Sequence, residues 1–304
     1  MLTVHTLPSL RSPALLCGFS GWADAGFAAS QAVRYILQKR ENERIAEFNP
    51  DSIYAYTTTR PSGVFASPGR RVLRWPSLAW HAVPVPESPR DLVILVGPEP
   101  DLRWQECLEK AAAFIEQLGI SQVITLGAFL AQVHYAAPPF LMGLASNEEM
   151  RERLQSLSVR ETDYEGPTGF ASGVASAAAE KGIPTVSLWT AAPSYLANMA
   201  NPKLSAALLA TSEQLLGQEL WRQELEAAGR EMERNIDEAV RARPELAKLF
   251  PHILGQEIQP SAEQLSAENS VEFGDFPSAE EVLKDLEEHL RRLREQRSDD
   301  APPN

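Results

Sequence analysis

The residues whose types could do chemistry lie in short polar or glycine-bearing stretches. They are Ser20, Gly21, Trp22 and Asp24 in "GFSGWAD", Glu99 and Asp101 in "GPEPD", His134 in "GAFLAQVH", Thr168 in "YEGPTG", and Ser194 and Tyr195 in "WTAAPSY". Glu99 and Asp101 pair two carboxylates, which suits proton transfer or a magnesium ion; the commoner use of Asp101 is to cap the next helix. Ser20, His134 and Asp24 are the types of a nucleophile, a base and its orienter. Their spacing matches no nucleophile motif, because Trp22 stands where G-x-S-x-G needs its second glycine. "GFSGWADAG" also fits neither G-x-G-x-x-G nor a phosphate loop, which needs a following lysine. Gly18 and Gly21 therefore read first as a tight turn, with Asp24 reaching the amides of the next helix. "EGPTGFASG" opens a small-residue helix whose first amides suit an anion, again without a lysine.

His5, His81, His252 and His289 are scattered, and Cys17 and Cys107 are far apart. No ligand spacing for zinc occurs, so neither a metal nor a cofactor is expected. The two cysteines fall on apolar patterns and read as buried thiols.

Around these residues the chain alternates apolar runs with helical periodicity. Runs at Ala14–Cys17, Asp91–Val96, Gln122–Leu126, Phe140–Ala145 and Thr185–Trp189 predict strands. Helices are expected over about Ala23–Lys39, from Asp101 to a terminating Gly119, after a cap at Ser146 or Asn147, and over Thr168–Lys181. Such alternation predicts a parallel sheet with helices on both faces. In that arrangement the named stretches, with "SNEE" at Ser146–Glu149, crowd the carboxyl edge, where ligands usually bind. Ser52–Thr59 reads as a strand, and "RRVLRW" as further β-structure inserted into or extending the sheet. Beyond Asn201 the pattern turns helical, over Pro202–Leu216 and Glu219–Arg241. A polar connector, Pro260–Phe276, leads to an amphipathic helix over Ser278–Gln296 with Val282, Leu286, Leu290 and Leu293 on one stripe. The expected organisation is a core domain over 1–200, a helical region over 201–296, and a disordered tail over 297–304.

The 304 residues carry a formal net charge of −13, with 44% hydrophobic and 23% charged residues. That charge repels phosphate backbones and anionic lipid, so no nucleic-acid or membrane partner is expected. No apolar run reaches spanning length, and no signal peptide is read at the N-terminus, so the expected location is the cytoplasm.

Taken in order, "GFSGWADAGFAASQAVRYIL", "GPEPDLRWQE", "VITLGAFLAQVHY", "YEGPTGFASGV", "GIPTVSLWTAAPSYLANMANPKLSAALL" and "FPSAEEVLKDLEEHLRRL" resemble the bacterial branch of the proteasome assembly chaperone 2 family. The resemblance implies a three-layer α/β/α sandwich with a mainly parallel sheet, like phosphorylase and hydrolase folds. It also implies a helical C-terminal part and homo-oligomers. Eukaryotic relatives are chaperones in proteasome assembly and dock through a hydrophobic–tyrosine–any-residue tail, whereas this chain ends "DDAPPN". Bacterial relatives often carry histidines in two loops where this chain has Val133–His134 and Pro193–Ser194–Tyr195. The leading expectation is a non-enzymatic chaperone or scaffold with a protein client. The alternative is a small-molecule binder or a hydrolase- or phosphorylase-like enzyme at the carboxyl edge.

Overall fold

The computed structural model describes residues 1–250 and 279–299. The chain opens with β1 (Leu2–Val4) and β2 (Ala14–Ser20), then α1 (Ala28–Lys39), β3 (Glu43–Phe48) and a single turn, α2 (Pro50–Ile53). A hairpin of β4 (Ser62–Ser67) and β5 (Arg70–Arg74) precedes β6 (Ala79–Val83), β7 (Leu92–Pro98), α3 (Trp104–Gln117) and β8 (Gln122–Ala131). There follow β9 (Leu141–Ala145), α4 (Glu148–Ser156), β10 (Arg160–Glu161), α5 (Phe170–Glu180) and β11 (Thr185–Pro193). The helices α6 (Pro202–Leu216), α7 (Gln223–Ala242) and α8 (Ala279–Asp299) complete it.

Among the described residues, nine strands form one sheet in the order β1-β3-β6-β7-β2-β8-β11-β9-β10. Its centre, β7-β2-β8-β11, is parallel throughout. Val93, Leu95, Val123, Ile124, Val186 and Leu188 are fully buried there, as continuous apolar runs require when helices cover both faces. α1 and α6 cover one face with Ala29, Ala32, Val33, Ile36, Leu204, Leu208 and Leu209. α3 and α5 cover the other with Phe114, Ile115, Phe170 and Val174, against a buried Trp80. The result is the expected α/β/α sandwich. Gly18 lets α1 lie close on β2, because a Cβ there would sit 2.4 Å from the Ala29 carbonyl oxygen.

The flanks differ from the expected pattern. Both β6 on β7 and β9 on β11 are antiparallel. No helix separates Ala131 from Leu141, so the chain lacks the crossover that a parallel return needs. Ser146–Glu149 therefore leaves the sheet at the edge where β11 begins: the Thr185 N–H donates to Ser146 Oγ at 2.9 Å. "SNEE" does not join the carboxyl-edge cluster. Ser52–Thr59 is not a strand. Pro50 sits at a helix start and Asn49 Oδ1 accepts from the Asp51 amide, which commits this stretch to the turn α2. The β4–β5 hairpin forms its own two-stranded sheet instead of extending the main one.

Asn147 is the cap of α4, accepting from the Met150 N–H at 2.9 Å. Val282 and Leu286 of α8 bury against Tyr195, Met199, Met232, Ile236 and Leu246 of the same chain. The side chains of Leu290 and Leu293, the connector Pro260–Phe276 and residues 300–304 lie outside the described residues. α8 runs to Asp299, three residues into the stretch read from sequence as a tail.

Candidate functional site

Parallel strands β2, β7, β8 and β11 end together, so their following loops share one edge. Ser20 closes β2 opposite Pro98 of β7, and its carbonyl accepts from the Glu99 N–H at 2.9 Å. The turn after it needs Gly21, whose φ of +142° L side chains rarely adopt. Glu99 then ties three elements together. Its Oε1 accepts from the Trp22 N–H at 2.8 Å and its Oε2 from the Phe170 N–H at 3.0 Å. The anion expected at the start of α5 is thus supplied by the chain's own Glu99. Thr168 stands exposed in the loop before that helix.

Asp24 is 3% exposed and turns inward. Its Oδ1 accepts from the Ala29 and Ser30 amides at 2.8 and 3.1 Å, and its Oδ2 from Ser30 Oγ at 2.5 Å. Burial pushes its carboxyl up to about 7, against the pull of those hydrogen bonds and of Arg34. Asp101 does not cap α3, as the sequence suggested. Arg103, in the left-handed region, precedes the helix. The Asp101 carboxylate instead accepts from the Ala55 N–H at 2.8 Å and from Thr59 Oγ1 at 3.1 Å. It staples the loop after α2, a longer-range demand that outcompetes the local cap.

His134, Ser194 and Tyr195 form a second group. Tyr195 Oη donates to the Val133 carbonyl at 3.1 Å and accepts from the Tyr135 N–H at 2.8 Å. The His134 ring stacks on Tyr135 at 4.5 Å, and its Nδ1 accepts from the Ala136 N–H. Burial, with nearby Lys203, holds its pKa below the ordinary histidine value. Ser194 Oγ accepts from Gln132 Nε2 at 2.9 Å. Phe250 packs edge-on to both His134 and Tyr135.

The structure adds residues to this group that sequence reading did not single out. Tyr135 Oη donates to Asp237 at 2.6 Å. Lys203 Nζ donates to the Tyr135 and Ala137 carbonyls at 3.0 and 2.7 Å and to Glu233 at 2.5 Å. These meet only because α7 folds back over α6, which no local pattern announces. A surface cavity of about 350 Å³ lies beside them, between α6 and α7, lined by Lys203, Ala206, Ala210, Gly229, Arg230 and Glu233. Lys203, one of the two cations in its lining, is already paired with Glu233.

The predicted residues therefore divide into a Glu99 clamp and a Tyr135–Tyr195 clamp. Asp24, Glu99 and Asp101 each spend their oxygens on the chain's own amides and hydroxyls. Neither clamp presents a nucleophile hydrogen-bonded to a base, the first requirement of a hydrolytic site. Among the described residues, no group of three or more His, Cys, Asp or Glu could hold a metal ion. Cys17 and Cys107 are free and buried, and burial pushes both thiols up, Cys107 to about 11. No helix among the described residues is long and apolar enough to cross a membrane.

Fold and site together define an α/β/α protein whose edge carboxylates are bonded within the chain. The PAC2 family profile matches residues 18–240, and the chain belongs to this family. It is similar to the proteasome-assembly chaperone homologue of Mycobacterium tuberculosis, at 33% identity over 78% of this chain and 99% of that one, with a TM-score of 0.69. It is similar also to a PAC2 family protein from Streptomyces avermitilis, at 32% identity over 79% and 100% of the two chains, TM-score 0.69. The archaeal proteasome activator PbaB of Pyrococcus furiosus shares the fold at 18% identity, covering 78% and 97%, with a TM-score of 0.61. No curated protein matches the chain.

Proposed function

We propose that this PAC2 family protein is a non-enzymatic, cytoplasmic chaperone or scaffold that works as a homo-oligomer on a protein client. The observation that carries the reading is that the carboxylates at the edge are committed to the chain itself. Glu99 bonds Trp22 and Phe170, Asp24 bonds Ala29 and Ser30, and Asp101 bonds Ala55 and Thr59. Groups that could activate a substrate are used to hold loops, so the rigid edge suits presentation of a surface better than turnover. The relatives named for proteasome assembly and activation support the proteasome as the client.

The test mixes the purified chain with free proteasome α-subunits encoded by its own genome and follows assembly by native mass spectrometry. The expected result is a complex with α-subunits and a changed rate of ring formation. A genome without proteasome genes, or stoichiometric chain with no complex and no change in rate, overturns the proteasome as client.

A further inference from the structure

The β4–β5 hairpin stands outside the main sheet and has two unlike faces. Its register pairs Val64 with Val72 on one face, and Gly63 with Leu73 and Phe65 with Arg71 on the other. Val64 and Val72 are half-buried. Phe65 and Leu73 are 73% and 57% exposed, so the second face presents two large apolar side chains to solvent beside Arg71. Register normally turns apolar side chains toward whatever covers them, and an exposed apolar patch of this kind marks an interaction surface. The Arg71 guanidinium lies over Gly63, where a Cβ would come within 2.3 Å of it. Trp75, 49% exposed, extends the same arm and rests on the Tyr56 ring at 4.8 Å. Between Asp51 and Glu87 the sequence holds Arg60, Arg70, Arg71 and Arg74 and no Asp or Glu. A basic, apolar arm thus projects from a strongly acidic chain.

The β9–β10 end of the main sheet carries the complement. β10 is its last strand, and the Thr162 N–H donates to the Gly143 carbonyl at 3.2 Å, which leads the chain alongside Leu144 toward Tyr164. Leu144 and Tyr164 are each 51% exposed. Asp163 and Glu165, which flank Tyr164 in the chain, are exposed as well, whereas Glu161 is already paired to Arg151 at 3.2 Å.

We infer that the β4–β5 arm of one protomer docks on the β9–β10 end of a second copy, with Phe65 and Leu73 against Leu144 and Tyr164 and Arg70 and Arg71 against Asp163 and Glu165. The inference rests on the homo-oligomeric reading above and says which surfaces make the oligomer. Because the two patches are different surfaces of the chain, the contact is head-to-tail. A head-to-tail contact closes into a ring where its rotation allows and runs on as an open filament where it does not; most soluble oligomers are closed, so the ring is the expected form.

The test uses the full chain and two full-chain variants, with mass read by sedimentation. Phe65→Ser with Arg71→Glu spoils the arm; Asp163→Arg with Tyr164→Ser spoils the β9–β10 end. All four positions are exposed, and thermal melting at the wild-type temperature verifies that each variant is folded. The wild type should sediment as a ring and each variant alone as a monomer. Mixed, the two variants should form a dimer, since the intact end of one meets the intact arm of the other. A monomeric wild type, a folded variant that keeps the wild-type mass, or a mixture that stays monomeric overturns the inference. Client binding is measured separately on the same proteins. Arm variants that lose the client while keeping the ring also overturn it. A ring that depends on both patches supports it even when no client binds, and that outcome counts against the chaperone reading alone.

Discussion

The Glu99 side chain occupies the space that a side chain at Gly21 would need: a Cβ there would sit 2.6 Å from Oε1. The carboxylate and the bare glycine are therefore one device, which fixes the loop after β2 to the start of α5. Glu99→Ala leaves the Trp22 and Phe170 amides without their acceptor, and should cost about 1–3 kcal/mol by urea unfolding, as unpaired buried donors do. Gly21→Ala should be destabilising as well, through its φ of +142° and the clash. A Glu99→Ala variant that unfolds at the wild-type midpoint would falsify the clamp.

Asp24 predicts a pH dependence of definite sign. Its folded-state pKa is raised from 3.8 to about 7, so the folded state holds the proton more tightly than the unfolded one across that range. Stability from this group must then fall as pH rises from about 4 to about 7, and level off above. Asp24→Asn removes the titration. Unfolding free energies at about pH 5 and about pH 8 should show a drop in the wild type that the variant lacks. Equal drops in both proteins would mean that Asp24 is ionised in the fold.

Asp91 should act in the opposite direction. It is buried at the start of β7 and accepts from the Arg11 N–H, Nε and Nη2 and from the Val85 N–H. Burial alone would raise its pKa; the hydrogen bonds and charge of Arg11 overcome that and hold it below 3.8. Its contribution is present above pH 3.8 and is lost as pH falls through the lowered value. Asp91→Ala should also leave the buried Val85 amide unpaired, at about 1–3 kcal/mol. Arg11→Ala, at a half-exposed side chain, should cost less. The reverse ranking in urea melts would place the interaction energy in the ion pair.

The parts of the fold legible in the sequence were those decided by local pattern. Val93–Val96 is apolar at every position, and Val123–Leu126 and Val186–Leu188 break their apolar runs only at Thr125 and Ser187, whose hydroxyls bond each other at 3.1 Å; a sheet covered on both faces calls for such runs. Asn147 marks a helix start through its side-chain acceptor, and Gly119 a helix end through its left-handed backbone. What stayed hidden was settled by distant partners. Asp101 looked like a cap because it precedes a helix, but the Ala55 amide, 46 residues away in sequence, claims its carboxylate. Ser52–Thr59 alternates like a strand, yet Asn49 and Pro50 just before it start a turn. His134 and Tyr195 were named as crevice residues. That their loops are closed by Lys203, Glu233 and Asp237 follows from how α7 packs on α6, and no spacing encodes it.

Leu286 makes the final prediction. The stripe on α8 is too apolar for water, and its sequence allowed either this chain or a neighbour to cover it. Val282 and Leu286 are fully buried, and the cover is intramolecular: Tyr195, Met199, Met232, Ile236, Ala239 and Leu246 surround them. α8 thereby closes the same side of the molecule on which Tyr195 pins the His134 loop. Leu286→Ala should open a cavity costing on the order of 2–5 kcal/mol. Because the packing lies within one chain, the loss should be independent of protein concentration, and the assembled mass of the folded protein should not change. Unfolding midpoints measured across a dilution series, with sedimentation on the same samples, separate the cases. A midpoint that shifts with dilution only in the variant, or a lower mass at wild-type stability, would put a neighbouring copy over this helix instead.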